Sequence, residues 1–414
     1  MMPMVLILGG GKGSRLFPLT LERSKPAIGF AGKYRMIDIP VSNCLNSGYN
    51  KIFVLTQFLS ASLHGHLMET YQFDNFSKGF VQILSAEQGH ERSEWFHGTA
   101  DAVRQVLRHL RYQAQEHVLI LSGDHLYTMD YRRLLEYHIW KKADVTVASV
   151  YVDAQEASRM GILDCDAGGQ IRRLIEKPKD VKKLKFSARG DPKSDKQSRY
   201  LASMGVYMFN KQALFEILTT SQAEDFGKHI LPLLIKRKSK IFAYEFDGYW
   251  RDIGTVGAYY EASMDLLAPR PAFNLFDESW PLMTRARFLP PSRMIDSALN
   301  NCLIADGCLL RNVSAERSII GLRSTIEDGT VIKDAVLMGN DYYHGRFDKN
   351  EDEPLIGQNV YIERAIVDKN VAIGDGCRIR NKYGQPDFDG DLYYVRDGIT
   401  IVRRGVVLPP DTII

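Results

Sequence analysis

Small aliphatic residues recur every six positions in the last third of this 414-residue chain, with Gly and Asp between them, as in IEDGT and IGDGC. A six-residue aliphatic period with turn residues is typical of a parallel β-helix, in which each repeat forms one flat face and sends its aliphatic side chain into the core. A small β-sandwich is the alternative, but the alternation of apolar and polar residues that a sandwich needs is absent. We therefore expect a β-helix over 296–414, interrupted by a loop at 341–354. The repeating positions are Ile304 and Leu310; Ile320, Ile326 and Ile332; Ile356 and Ile362; and Ile373 and Ile379.

The residues before the β-helix follow a different pattern, in which apolar runs alternate with helical periods. One helical stretch, TADAVRQVLRHLRYQ, carries Thr99 as its expected cap and an apolar face made of Val103, Val106, Leu107 and Leu110. Continuous apolar strands separated by helices are typical of an α/β domain with a Rossmann-like, mostly parallel mixed sheet. We place this domain at 1–266, and a Pro- and aromatic-rich linker packed against the rest of the protein at 267–295. The expected strands are MVLIL near the N-terminus and the runs at 51–57, 117–124, 144–152, 201–210 and 240–246.

Composition excludes several classes of protein. The net charge is +3, from 53 basic and 50 acidic residues, and this near balance argues against nucleic acid as the main partner. No apolar run approaches the length of a membrane span, and MMPMVLILGGG lacks the cationic segment of a signal peptide. We expect a cytoplasmic protein, in a bacterial cytosol, without a membrane partner. The five cysteines contain no CxxC pair, which favours reduced thiols over a zinc site or a disulfide framework.

A glycine-rich loop, LILGGGKGSRLFPLTLERSKPA, follows the first predicted strand. It is neither a P-loop, because its GK is followed by Gly, nor a dinucleotide-binding loop, because the third glycine of GxGxxG is missing. Backbone N–H groups with two fixed cations, Arg15 and Lys25, suit a nucleoside triphosphate under attack, with the cations near the departing charge. The alternative is a plain glycine-rich turn between a strand and a helix. The loop residues expected to contact the nucleotide are Leu8, Gly9, Gly10, Gly11 and Gly13.

Two aspartates are the candidates for a metal site. Asp124 ends the strand VLILSGD, and ligands of open α/β sheets bind at the carboxyl ends of strands. Asp252, in YWRDIGT, is expected to approach from the opposite flank of the sheet. Mg²⁺ uses only one or two protein carboxylates when phosphates and water complete its shell, so this pair is sufficient. A turn or helix-capping role is the alternative for an aspartate at a strand end.

Several motifs in one order resemble a known enzyme family. GGGKGSRLFPLTLERSKPA resembles the signature of the sugar-1-phosphate nucleotidylyltransferases. KYRMIDIPVSNCLNSG, GTADAVRQ, LSGDHLY, IEKP, SMGVYMF, DFGKHILP and YWRDIGT are similar, more narrowly, to the ADP-glucose pyrophosphorylases (glucose-1-phosphate adenylyltransferases). The resemblance runs from residue 4 to the end and implies a left-handed β-helix after the nucleotidyltransferase domain. It also implies that glucose 1-phosphate attacks the α-phosphorus of ATP, with Asp124 and Asp252 holding Mg²⁺, and that Arg15, Lys25 and Asp124 are catalytic.

The resemblance extends to both substrate sites. Sugar-phosphate contacts are implied for Gly161, Glu176, Lys177, Ser203 and Asp252, with Lys177 on the phosphate of glucose 1-phosphate. Nucleotide contacts are implied for Gln57, on the adenine base, and for His97, Gly98 and Thr99 in WFHGTADA. His97 departs from the Gln or Arg of relatives. Without the family, Glu176 and Lys177 would be a surface ion pair, and Gln57 and His97 would be side chains exposed to water.

Regulation and assembly are implied by the resemblance as well. The family forms tetramers and responds to phosphorylated effectors, so we expect a homotetramer with regulatory cations at Arg23, Arg403 and Arg404. Glu22 stands where relatives often carry Lys, which argues against an activator site of the fructose-bisphosphate type. Three alternatives stay open: another nucleotide such as UTP, dTTP or GTP; a non-catalytic regulatory subunit; and an acyltransferase using His344 beside the β-helix.

Overall fold

The computed structural model describes residues 2–74, 76–86, 95–181, 184, 199–343, 355–381 and 384–414. Most of the predicted loop at 341–354, with His344, lies outside these residues, as does most of the polar segment at 185–200. No helix in the described part of the chain is long and apolar enough to cross a membrane. All five cysteines are unpaired.

The first domain contains thirteen strands and eight helices within the described ranges. The strands are β1 (Met4–Leu8), β2 (Gly29–Phe30), β3 (Tyr34–Arg35), β4 (Lys51–Thr56), β5 (Phe80–Ser85), β6 (His117–Ser122), β7 (His125–Tyr127), β8 (Val145–Val152), β9 (Gly161–Cys165), β10 (Ile171–Glu176), β11 (Tyr200–Asn210), β12 (Ile241–Glu245) and β13 (Trp250–Asp252). The helices are α1 (Asp38–Asn46), α2 (Ala61–Thr70), α3 (Thr99–Arg111), α4 (Tyr131–Trp140), α5 (Ala154–Ala157), α6 (Lys211–Thr220), α7 (Leu231–Lys236) and α8 (Val256–Asp265). Short 3₁₀ turns lie at Ser14–Leu16 and Lys25–Ala27.

A nine-stranded mixed sheet forms the centre of this domain, with the order β10-β9-β11-β6-β1-β4-β5; β8 also pairs with β11, and β12 pairs with β8. Strands β6, β1, β4 and β5 run parallel, whereas β11 runs antiparallel to β6, β8 and β9. Separate apolar clusters cover the two faces, one including α3 and α6 and the other including α1, α2 and α4. The predicted α/β class, the strands and the buried face of α3 are therefore confirmed.

One detail of α3 differs from the prediction. Thr99 is the first helical residue rather than the cap, and Gly98 occupies the capping position without a side-chain bond. The Thr99 hydroxyl instead donates to Asp225 and accepts from the amide of Phe226. The carbonyl of Glu224, in a neighbouring loop, accepts from the amides of Ala100 and Asp101 and so provides the partner that a capping side chain would normally supply.

The second domain is a stack of β-helical coils. Its strands are β14 (Arg293–Ile295), β15 (Ala298–Asn300), β16 (Leu303–Ile304), β17 (Leu309–Arg311), β18 (Ser314–Glu316), β19 (Ile319–Ile320), β20 (Thr325–Ile326), β21 (Val331–Lys333), β22 (Val336–Leu337), β23 (Tyr361–Glu363), β24 (Ala365–Val367), β25 (Ala372–Ile373), β26 (Arg378–Ile379), β27 (Phe388–Asp389), β28 (Tyr393–Arg396), β29 (Ile399–Val402) and β30 (Val407–Leu408). Successive coils pair in parallel, as in Leu310 with Ile326 and Ile332 with Ile362. The aliphatic residues of the six-residue period share one core, with Ile304 at its margin, so the predicted β-helix is confirmed. The first strand, β14, begins within the predicted linker.

The linker and a shared core join the two domains. Trp280 and Met283 of the linker donate to Asn43 and Ser42 of α1. A third apolar cluster combines first-domain residues such as Leu16 and Phe30 with β-helix residues such as Ile319, Met338 and Ile401. The linker is therefore packed against the first domain, as the sequence predicts.

Gly321→Ala tests the close packing of the coils. A Cβ at Gly321 would lie 2.4 Å from the carbonyl carbon of Met338 and 2.6 Å from the amide nitrogen of Gly339, both backbone atoms of the next coil. We expect the substitution to lower the stability by about 3 kcal/mol, because the coils must separate to accommodate it. Thermal unfolding followed by circular dichroism would measure the loss.

Gly65→Ala is the matched control. Gly65 lies in α2 with no atom within 4 Å of its added Cβ, so alanine should maintain or raise the stability, by up to about 1 kcal/mol. Equal unfolding temperatures for Gly321→Ala and the wild-type protein would contradict the packing argument.

Candidate functional site

A cleft of about 830 Å³ opens at the carboxyl ends of β1 and β6. An adjoining pocket of about 190 Å³ shares part of its wall and adds Gly9, Gly13 and Lys25. Every residue predicted for catalysis or substrate binding therefore lies in one continuous site, whereas Arg23, Arg403 and Arg404 lie outside it. The predicted residues that line the larger cleft are Leu8, Gly10, Gly11, Arg15, Gln57, His97, Gly98, Thr99, Asp124, Gly161, Glu176, Lys177, Ser203 and Asp252.

The glycine-rich loop leaves β1 and forms one wall of the site. The amide of Gly9 donates to the carbonyl of Leu55, which fixes the start of the loop against β4. Gly13 has a φ of 63° and precedes the 3₁₀ turn that carries Arg15, whose side chain is exposed to the cleft. No atom lies within 4 Å of a Cβ added at Gly11, so the loop leaves open space there for a ligand.

The two candidate carboxylates are brought together by a short ribbon. Strand β13 pairs antiparallel with β7, so Asp252 lies opposite His125 and next to Asp124. The sequence suggested that Asp252 approaches from the opposite flank of the sheet. In the structure it instead lies on this ribbon, beside Asp124. The ribbon brings the two aspartates together because only residues 123 and 124 separate β6 from β7.

Lys25 contacts both carboxylates. Its Nζ lies 2.5 Å from Oδ2 of Asp124 and 3.6 Å from Oδ1 of Asp252, and its side chain is only 10% exposed. In this arrangement the ammonium group neutralises the carboxylates directly, beside Gly13 of the glycine-rich loop.

Electrostatics keep Asp124 ionised. Burial alone would raise the pKa of this carboxyl, but the Lys25 ammonium and His125, together with hydrogen bonds from Lys25 and Ser122, hold the pKa well below its usual range. A depressed pKa means that the carboxylate stays charged throughout the neutral and mildly acidic range. Asp124 is therefore available as an anionic ligand at neutral and mildly acidic pH.

The donor set fits a divalent cation. One ligand atom each from Asp124, His125 and Asp252 lie within 4.8 Å of one another. The Nε2 of His125 is 3.5 Å from an oxygen of Asp124 and 3.8 Å from an oxygen of Asp252. Two carboxylates beside a phosphate site are the ligands that Mg²⁺ and Mn²⁺ use in proteins.

The opposite end of the cleft carries Glu176 and Lys177. Glu176 pairs with Gly161 across β10 and β9, and a Cβ at Gly161 would lie 2.8 Å from the Glu176 carboxylate, so a larger residue at 161 would displace this carboxylate. Lys177 has a φ of 46° just after the strand, and its 60% exposed side chain lies 3.8 Å from Glu176. Burial, with the Asp225 charge, raises the pKa of Glu176 despite the opposing Lys177. This end of the cleft thus offers a carboxyl acceptor and an accessible cation.

An aromatic wall borders the nucleotide side. Gln57 accepts a 2.6 Å hydrogen bond from the amide of Phe96 through Oε1, which fixes its amide group at the end of β4. Trp95 stacks on Phe58 with ring centroids 5.3 Å apart, and Lys12 lies over the Phe58 ring. Flat rings beside a fixed amide suit a heterocyclic base.

The predicted regulatory cations meet at the domain boundary. Arg404 forms an ion pair with Asp341 at 3.2 Å, and both Arg403 and Arg404 lie 3.8 Å from Glu22. Arg23 is buried and bonded to Asp368, which makes it a structural ion pair between the domains. The cations that line a narrow crevice here are Arg23, Lys33, Arg35, Arg287, Lys369 and Arg404.

Three residues of interest were missed from the sequence. His125 follows Asp124 directly in LSGDHLY, and this adjacency was the available signal. Lys369 and Asp341 form a 2.7 Å ion pair in the crevice, and no local pattern connects them. Burial would raise the pKa of Asp341, but Lys369 and Arg404 lower it well below its usual range.

Comparison with known protein families agrees with this geometry. Residues 4–268 match the nucleotidyl transferase family, and residues 287–413 match the GLGC left-handed parallel β-helix domain. The first match covers more than half of the chain. The second match identifies the β-helix as left-handed. The chain therefore belongs to the nucleotidyl transferase family and is a sugar-1-phosphate nucleotidyltransferase of the GlgC type.

Proposed function

We propose that this protein is a glucose-1-phosphate adenylyltransferase, which converts ATP and glucose 1-phosphate into ADP-glucose and pyrophosphate. The observation that carries the proposal is the charge arrangement in one cleft: Arg15 and Lys25 with Asp124 and Asp252 at one end, and Lys177 at the other. ADP-glucose is the glucosyl donor for glycogen or starch, so the product would supply glucan synthesis in the cytoplasm.

The chemistry requires positioning and charge stabilisation rather than an enzyme nucleophile. Lys177 holds the phosphate of glucose 1-phosphate, and Glu176 accepts from sugar hydroxyls, so that a phosphate oxygen faces the α-phosphorus of ATP. Arg15 and the amides of the glycine-rich loop stabilise the departing pyrophosphate. Asp124 and Asp252 would hold Mg²⁺, which supplies positive charge between the two substrates when bound.

Two alternatives make different predictions. Another nucleotide would leave the phosphate chemistry unchanged and alter only the contacts of the base, near Gln57 and Trp95. A non-catalytic subunit is disfavoured, because the carboxylates and cations that such subunits lose are all present. A tetramer of identical chains, assembled through the β-helix domain, is part of the proposal.

Pyrophosphate release tests the proposed reaction. ATP, UTP, dTTP and GTP would each be offered with glucose 1-phosphate and Mg²⁺, and we expect release with ATP alone. Asp124→Asn should lower the rate about 10³-fold, because it removes a charge at the reacting phosphates.

Asp130→Asn is the matched control for this substitution. Asp130 caps α4 by accepting from the amide of Arg132, and Asn caps helices equally well, so the rate should stay unchanged. Release mainly with another nucleotide would overturn the product but not the reaction class. Absence of release with every nucleotide would favour the non-catalytic subunit.

Lys177→Gln tests the sugar-phosphate end. Loss of the ammonium should raise the KM for glucose 1-phosphate about 30-fold, with a smaller change in the KM for ATP, because a charge-assisted hydrogen bond is removed from one substrate only. Lys179→Gln, an exposed lysine two residues further along, should change neither constant. Equal effects of both substitutions would indicate a general charge effect and contradict a specific contact.

We also propose that phosphorylated effectors act at the crevice between the domains. Six cations surround it, but its open volume is only about 40 Å³, so a phosphate must displace side chains to enter. Arg403 and Arg404 already form ion pairs with Glu22, and Arg404 forms another with Asp341. A site with Lys at position 22 would have a cation in place of the Glu22 carboxylate.

Arg404→Gln tests the effector site. Activity would be measured against 3-phosphoglycerate, fructose 1,6-bisphosphate and inorganic phosphate, and the half-saturating concentration of whichever responds should rise about tenfold. Arg378→Gln, an exposed arginine on β26 of the same domain, should leave that concentration unchanged. An unaltered response in Arg404→Gln would remove this residue from the effector site.

A further inference from the structure

The last hairpin of the β-helix domain reaches the catalytic domain. Strand β28 pairs antiparallel with β29, and β27 pairs antiparallel with β28, so the two strands extend one sheet of the β-helix. The turn between β28 and β29 consists of Asp397 and Gly398, with φ values of 53° and 73°. Such a two-residue turn with both φ values positive favours Asp-Gly, and it presents the Asp397 side chain outwards.

Asp397 binds the beginning of α8. Its Oδ2 accepts a 2.8 Å hydrogen bond from the amide of Gly257, the second residue of that helix. The first amides of a helix have no partner within it, and a carboxylate there also interacts favourably with the helix dipole. A Cβ at Gly257 would lie 2.8 Å from this carboxylate oxygen, so the absence of a side chain admits Asp397.

The helix that Asp397 contacts follows a candidate metal ligand. Asp252 ends β13, and only residues 253–255 separate it from α8. Ile253 is buried in the core shared by the two domains. With so short a connection, the position of the α8 N-terminus determines the position of Asp252.

The same hairpin also contacts the other side of the site. The ring of Tyr394 packs edge-on against Phe17, with centroids 5.1 Å apart, and the Arg396 guanidinium lies 5.7 Å from the Phe17 ring centroid. Phe17 directly follows the 3₁₀ turn that carries Arg15. Arg396 in turn donates to the carbonyls of Phe388 and Val395, which connects its side chain to β27 and β28.

We infer that the 388–402 hairpin is a positioning element for the active site, which holds Asp252 and Arg15 in fixed relative positions at one end of the cleft. Asp397 is the positioning residue for Asp252, acting through Gly257 and α8. Tyr394 is the positioning residue for the Arg15 turn, acting through Phe17. The β-helix domain thereby completes the catalytic geometry, in addition to any role in assembly or regulation.

Two substitutions at position 397 separate the carboxylate from the turn. Asp397→Gly removes the bond to Gly257 but maintains the turn, because glycine adopts positive φ readily. Asp397→Asn maintains both the turn and an acceptor oxygen. A difference between these two variants therefore reports the contact with α8 and not strain in the hairpin.

Hydrogen exchange of backbone amides is the first measurement, on the free full-length protein without substrates. In Asp397→Gly we expect amides at 252–259 to exchange five- to tenfold faster, as for loss of a helix cap, while those of β1 and β6 stay protected. Asp397→Asn should exchange like the wild-type protein, and Tyr394→Ala should accelerate exchange at 13–17 only.

Unchanged exchange at 252–259 in Asp397→Gly would overturn the inference. Faster exchange throughout the catalytic domain would also overturn it, because the hairpin would then support the whole fold and not the site.

Binding of Mn²⁺ alone, followed by electron paramagnetic resonance, is the second measurement. The dissociation constant should rise about tenfold in Asp397→Gly and return to the wild-type value in Asp397→Asn, as for other residues that orient a metal ligand. The Mn²⁺ measurement rests on the metal site of the proposed function, whereas the hydrogen-exchange measurement does not. Failure of the wild-type protein to bind Mn²⁺ would contradict the metal site, and the exchange result would still decide the role of the hairpin.

Discussion

The buried ion pair between Arg23 and Asp368 fixes where the two domains meet. Arg23 is 3% exposed and Asp368 is 5% exposed, so neither charge is solvated by bulk water. Burial would lower the pKa of Arg23, but Asp368 outweighs it and raises that pKa, so the arginine stays charged. Breaking such a pair leaves an uncompensated buried charge, which typically costs roughly 3–5 kcal/mol. The contact therefore strongly disfavours separation of the domains.

The consequence of this contact for the active site follows from its place in the chain. Arg15 and Lys25 enclose the segment that contains Arg23, and the β-helix contacts that segment at Phe17, Glu22 and Arg23. A displacement of the β-helix would therefore move the connection between Arg15 and Lys25. The domain interface and the site are therefore coupled through this segment, although the residues of the site all come from the first domain.

The sequence predicts those features that depend on short-range patterns. The six-residue period of Ile320, Ile326 and Ile332 requires only that each face of a coil bury one aliphatic side chain, and the glycine-rich loop requires only its position after β1. The pairing of Asp252 with His125 could not be predicted, because it depends on a ribbon between segments more than a hundred residues apart. The Thr99 prediction was wrong for the same reason, since a distant loop provides the partners of that helix terminus.

The buried charges of the cleft and of the crevice are paired within the protein. Lys25 compensates the carboxylates of the cleft, and Asp341 compensates Lys369 and Arg404 in the crevice. Buried charges must be paired in this way, because an isolated charge in a medium of low dielectric constant is very unfavourable. Ligand binding is then an exchange of one charged partner for another. Arg404 contacts Glu22, which lies between Arg15 and Lys25 in the chain, so an exchange of partners at Arg404 or at Lys25 acts on the same short segment.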